Sequence, residues 1–266
     1  MTKYTIVDFR KEFPDEKACL DYIFTKRFPE AKQYYFVAGR KCYANPKGEQ
    51  IHPVAGTIFE KSSTPLTLWF YAIYLFSASK NGVSGKELQR QLGVTYKTAW
   101  RMASQIRSLM GSDKNPLTGV VEVDETYMGG YKRAGQGGKG KIPVIGMVER
   151  GGRMKASVVP NRETHTVLNT VTKNVAKGSS LMTDQFGVYR KTKKLGYVHE
   201  AVNHWAKEYA RGVVNTNTIE GFWSQLKRSI HGTYHSVSPK HLQSYVNEFS
   251  FRYGQPSVFS ALMARI

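Results

Sequence analysis

Residues 119–130 read GVVEVDETYMGG, and this stretch decides the fold. Val121 and Val123 alternate with polar residues, the period of a strand with one buried face, and the glycines on either side punctuate it. An aspartate inside such a strand is unusual, because Asp is depleted from strands, so Asp124 stands out. Downstream lie two more strand-like runs, IPVIGMVERGG (142–152) and MKASVVPN (154–161), separated by Gly-rich turns. Together the three predict an antiparallel meander.

The pattern then alternates. A helix is expected over Thr164–Ala176, an apolar strand over SSLMTDQFGVY (179–189), a shorter strand near Val198–Val202, and a helix from about Thr218 to Ile230. A last helix, Lys240–Tyr253, opens after Ser238-Pro239, a cap followed by a first-turn proline. This order is that of an α/β RNase H-like mixed sheet with flanking helices, an analogy that bears on fold more than on activity.

Within that frame three carboxylates attract notice. Asp184 falls where LMTD gives way to QFGVY, and in an RNase H-like sheet its strand neighbours that of Asp124. Two carboxylates on adjacent strands repel unless a cation sits between them, which makes the pair a natural magnesium site. Glu220 lies in the first turn of TIEGFWSQLKRSI, whose stripe Ile219, Phe222, Trp223, Leu226 and Ile230 docks the helix on the sheet. Lys227, seven residues on, points within about 20° of Glu220. Each residue also has an ordinary reading: a strand-end Asp caps a turn, and a first-turn Glu answers the helix dipole.

Upstream, Thr64–Met110 reads as three helices. Ser84 and Glu87 form an S-x-x-E signature, Gly93 breaks the chain, and Thr95 caps the next helix. Ala99, Ala103, Ile106 and Met110 follow core spacing, while Lys97, Arg101 and Gln105 line another face that suits a major groove. An ordinary helical hairpin with a solvated basic face has the same pattern. Residues 1–60 form a small mixed module with a helix over Asp15–Phe28 and strand-like pieces at Tyr34–Val37 and Lys41–Tyr43.

Composition bounds the partners. Lys and Arg number 39 against 20 Asp and Glu, a formal net charge of +19, which favours a polyanion. The Gly-rich loop from Gly129 to Lys141 adds Lys132 and Arg133 as candidate backbone contacts. His231, His235 and His241 match no compact zinc spacing. The apolar stretch Leu66–Ala78 is well short of the roughly 20 residues that span a bilayer, and no signal peptide opens the chain. A cytoplasmic, nucleoid-associated protein without a membrane partner is expected. Cys19 and Cys42 are too few for a disulfide framework.

The runs VEVDETYMGG, LMTDQFGVY and VNTNTIEGFWSQLKRSIHGTYHSVSPKHLQSYVNEFSFRYG resemble the ISXO-like transposase domain of bacterial insertion sequences, and VAGTIFEKSSTPLTLWFYAIYLF resembles the segment preceding it. The resemblance, over roughly residues 15–255, implies a DDE-type catalytic domain with Asp124, Asp184 and Glu220 as catalytic residues and magnesium ligands, manganese able to substitute. Asn217 is the rival third residue, since some relatives carry Asn there. It also implies Lys227 and Arg228 on DNA, double-stranded DNA partners in the form of terminal inverted repeats and target, and a dimer or larger assembly. Relatives carry an N-terminal zinc ribbon with two Cys pairs; here the second pair falls near Ala44 and Lys47, so zinc is not expected. The expected organisation is 1–60 as a zinc-ribbon-like module lacking its Cys ligands, 61–112 as a helix-turn-helix region and 113–266 as the catalytic domain. Two alternatives remain: another RNase H-like nuclease, and a DNA-binding regulator derived from a transposase.

Overall fold

The strand expected around Asp124 is the centre of a five-stranded sheet. In the computed structural model, which describes residues 4–111, 113–129, 141–184, 186–202, 210–211 and 214–266, the chain divides into two units. One comprises Met110–Gln255, the other Met1–Leu109 with Pro256–Ile266.

The first unit holds α1 (Ile6–Glu12), α2 (Glu16–Arg27), strands β1 (Tyr35–Val37), β2 (Cys42–Ala44) and β3 (Gln50–Ile51), then α3 (Leu66–Ala78), α4 (Gly85–Leu92) and α5 (Tyr96–Leu109). β1, β2 and β3 form a small antiparallel sheet. Where relatives would place zinc ligands, the β2–β3 turn is tied by Asn45. Its Oδ1 accepts the N–H groups of Lys47 and Glu49, each at 3.0 Å, and its Nδ2 donates to Glu49 at 2.6 Å. Cys19 and Cys42 are both buried. Helix α3, uniformly apolar, buries Trp69, Phe70, Ile73 and Phe76.

The unit also recovers the end of the chain. A helix over Val258–Met263, absent from the sequence reading, sends Phe259 against Tyr4, Phe9, Phe13 and Tyr74. Residues 256–266 therefore leave the expected 113–266 domain, because that aromatic cluster gives Phe259 its buried site.

The second unit contains β4 (Val120–Met128), β5 (Ile142–Glu149), β6 (Met154–Val158), α6 (Thr164–Asn174), β7 (Ser180–Asp184), β8 (Val198–Val202), α7 (Asn217–Ser229) and α8 (Pro239–Arg252); with these, the terminal helix Val258–Met263 is α9. Spatial order is β6-β5-β4-β7-β8, antiparallel across the first three strands and parallel across β4-β7-β8. This mixed α/β arrangement is compatible with the RNase H-like order. Each face is covered: Val121, Val123, Ile145 and Leu181 pack with Val167 and Val171 of α6, while Val144, Val148 and Met154 pack with Trp223 and Leu226 of α7 and Val246 and Phe249 of α8.

One boundary differs from expectation. The strand predicted over 179–189 stops at Asp184, and Gly187–Leu195 is a 3-10 helix. The Asp184 carboxylate accepts the N–H of Phe186 at 3.0 Å, a local turn that competes with the ladder.

Candidate active site

The parallel register between β4 and β7 runs Val120 to Ser180, Val121 to Leu181 and Glu122 to Met182. Carried two residues on, it sets Asp124 level with Asp184 on the neighbouring strand, about 4.8 Å away at strand spacing. Because side chains alternate, Glu122, Asp124, Met182 and Asp184 share the face opposite to Val121, Val123 and Leu181.

That face carries α7. The Trp223 indole N–H donates to Asp124 Oδ2 at 3.0 Å. The ring has room because Asp124's cross-strand partner on β5 is Gly146. A Cβ there would stand 2.5 and 2.6 Å from Trp223 Cζ2 and Cη2. Burial, above all, pushes the Asp124 carboxyl up to about 6, and the charges of Asp184 and Glu220 push the same way. A backbone hydrogen bond at Glu125 and the indole N–H oppose them. The three carboxylates thus lie within one electrostatic neighbourhood.

Glu220 is exposed in the first turn of α7, where its Oε1 accepts from Thr216 Oγ1 at 2.9 Å. Asn217 is exposed at the first helical position, its backbone N–H donating to Asn215 Oδ1. Lys227 and Arg228 are exposed in the last turn.

Among the described residues no three His, Cys, Asp or Glu side chains converge closely enough to hold a metal ion. The sheet brings Asp124 and Asp184 together, and Glu220 stands at electrostatic range. The donor chemistry suits a hard divalent cation: oxygen ligands only, with one carboxyl whose ionisation is opposed by two neighbouring negative charges that a cation would offset.

On the opposite sheet face Glu125 accepts a hydrogen bond from the hydroxyl of buried Tyr189, with Arg162 at 4.0 Å. Burial, as the largest cause, lifts this carboxyl to about 7. Glu125, Tyr189, Trp223 and Gly146 were not singled out in the sequence for this region's chemistry. Strand alternation was the available signal, since it divides VEVDETY into two faces.

In the other unit, α4 and α5 are joined across Gly93, which is left-handed (φ 64°). Ser84 Oγ accepts the Glu87 N–H at 3.1 Å, and Thr95 Oγ1 accepts that of Thr98 at 3.2 Å. The Glu87 carboxylate turns to Arg90 and Gln91. Lys97 is exposed, whereas Arg101 donates to Ser62 Oγ at 3.1 Å and lies over the Trp69 ring. Tyr96 and Trp100 are exposed aromatics on α5 that the sequence reading passed over. Lys132 and Arg133 lie outside the described residues.

The ISXO2-like transposase domain matches residues 116–254. An uncharacterized protein in transposable element ISH50 of Halobacterium salinarum is 26% identical over 216 residues, covering 74% of this chain and 72% of that protein. An uncharacterized transposase-like protein of Haemophilus influenzae is 26% identical over 105 residues, 40% of this chain and 84% of that one.

Proposed function

Since the chain belongs to the family with the ISXO2-like transposase domain, we propose that it is a DDE-type DNA strand transferase whose catalytic residues are Asp124, Asp184 and Glu220. The observation that carries this reading is the meeting of Asp124 and Asp184 on adjacent parallel strands, with Glu220 close enough to raise the Asp124 pKa.

These three carboxylates would hold magnesium, for which manganese can substitute. A divalent cation there supplies an activated oxygen nucleophile and stabilises the departing oxygen of a phosphodiester. The chain's own groups do the positioning. The indole of Trp223 holds one oxygen of Asp124, leaving the other directed by the strand. Glu220 is preferred to Asn217 as the third ligand because a carboxylate binds magnesium more strongly than an amide and stands one helical face from Lys227.

Lys227 and Arg228 present charge to DNA phosphates, and Lys97 lies exposed at the start of α5, where a groove-reading helix carries its contacts. Arg101, engaged with Ser62 and Trp69, would contribute only by leaving them. Lys132 and Arg133 extend the basic surface. The substrates are the terminal inverted repeats of an insertion sequence and a target duplex, and two ends imply a dimer or larger assembly. Among the described residues no helix is long and apolar enough to cross a membrane, in keeping with action on the nucleoid in the cytoplasm.

The test is magnesium-dependent cleavage and joining of labelled DNA carrying the repeats that flank the gene. Wild type is expected to cut and join, while Asp184→Ala and Glu220→Gln bind the DNA and do neither. Binding without cutting by wild type would replace the enzyme with a DNA-binding regulator, and cutting without joining would make it a nuclease.

A further inference from the structure

Helix α7 has a conspicuous need at its N-terminus. The first-turn N–H groups of any helix lack partners within the helix, and the residue preceding α7, Thr216, makes no side-chain cap. The partner comes from the sheet. Glu122, fully buried in β4, accepts the N–H of Thr218 at 2.9 Å and that of Ile219 at 3.1 Å through Oε2. Its Oε1 accepts the Thr218 hydroxyl at 2.8 Å and Arg150 Nε at 2.9 Å. Arg150 in turn donates through Nη2 to the carbonyl of Asn215 at 3.0 Å, in the segment leading into α7, and through its backbone N–H to Val120 at the start of β4.

Glu122 precedes Asp124 by two residues on the same strand face, and Thr218 precedes Glu220 by two residues in the same helical turn. One carboxylate therefore links the strand that carries Asp124 to the turn that carries Glu220. Resting on the reading of these residues as a metal-binding site, we propose that Glu122, held by Arg150, is a positioning residue that fixes Glu220 relative to Asp124. It does not touch the cation or the DNA. Four donors meet its two oxygens, the charge lies at the positive end of the α7 dipole, and Arg150 offsets the cost of burying it. A glutamine in its place keeps the shape but turns an amide N–H₂ toward either Arg150 or the helix N–H groups, donor against donor.

A merely structural role would lower stability and nothing else, so the experiment separates the two on the full chain. Val167→Ala, a cavity on the opposite sheet face, serves as the stability control. Manganese binding is followed by loss of the free-ion paramagnetic resonance signal, and exchange of the Thr218 and Ile219 amides is measured without metal. Glu122→Gln is expected to speed that exchange and weaken manganese binding by about tenfold, the scale of lost support behind metal ligands. Val167→Ala, at equal or greater loss of thermal stability, leaves both unchanged. In a Glu220→Gln background, Glu122→Gln should weaken manganese binding much less, because the group it positions is gone. If Glu122→Gln does not fold, Arg150→Lys, which loses the bond to Asn215 while keeping its charge, undergoes the same comparison.

The inference is overturned if Glu122→Gln or Arg150→Lys binds manganese as Val167→Ala does, or weakens it equally with and without Glu220. A wild type that neither binds manganese nor cuts DNA would refute the site itself, and the positioning role with it.

Discussion

Replacing Gly146 by alanine adds a single carbon, and the structure says what that carbon meets. The added Cβ falls 2.5 and 2.6 Å from two carbons of the Trp223 ring and 3.0 Å from Ile219 Cδ1. Carbon atoms pack at about 3.5–4.0 Å, so the indole must retreat by roughly 1 Å. It has little freedom to swing aside, being 4% exposed and packed in the cluster that joins α7 and α8 to the sheet. Overpacking of this kind costs about 1–3 kcal/mol. In a unit of this size that lowers Tm by roughly 2–12 °C. The same retreat lengthens the Trp223–Asp124 bond and carries Glu220 with the helix, and a displacement of about 1 Å at a reacting centre costs on the order of 10²-fold in rate. Gly221→Ala is the counterpart: it lies inside α7 with open space around its Cβ, so helix propensity should raise stability by up to about 1 kcal/mol. The assay pairs thermal unfolding with magnesium-dependent cleavage. A Gly146→Ala protein with wild-type Tm and wild-type cleavage would refute the account of how α7 is seated.

Tyr189→Phe removes the hydroxyl that donates to buried Glu125 and should cost about 1–3 kcal/mol, read by denaturant unfolding of the full chain. Asn45→Ala deprives the β2–β3 turn of both backbone N–H partners; hydrogen exchange should rise at Lys47 and Glu49 while the amides of β4 and β5 keep their protection. Lys227→Ala should weaken DNA binding evenly across sequences and reduce the slope of log affinity against log salt by about one, measured by titration at several salt concentrations.

Much of the second unit was legible because its sequence obeys strand and helix periods closely. VVEVDETYM became β4 with Val121 and Val123 buried, and the stripe Ile219, Phe222, Trp223 and Leu226 docked α7 as its spacing required. In the first unit Ala99, Ala103 and Ile106 went to the core for the same reason. What was hidden depends on partners far away in sequence. Glu122 looked like the solvent-facing half of an alternating strand, yet its partners Thr218 and Ile219 come nearly a hundred residues later. Gly146 read as a strand glycine without a cause until Trp223 supplied one. The end of β7 at Asp184 turned on one local hydrogen bond to Phe186, which apolar periodicity does not register. The short helix around Phe259 has no amphipathic length of its own, and only the aromatic cluster explains it.

The parallel register of β4 and β7 bears on how such proteins should be compared with one another. The interval between Asp124 and Asp184 includes two turns, a loop and a helix, any of which can gain or lose residues without moving either carboxylate. Shifting Asp184 by one position along β7, with nothing inserted elsewhere, would instead send it to the other side of the sheet. Kinship in the chemistry is therefore carried by odd-or-even phase within each strand, and a search that scores phase will tolerate variation in length that a fixed-spacing pattern rejects.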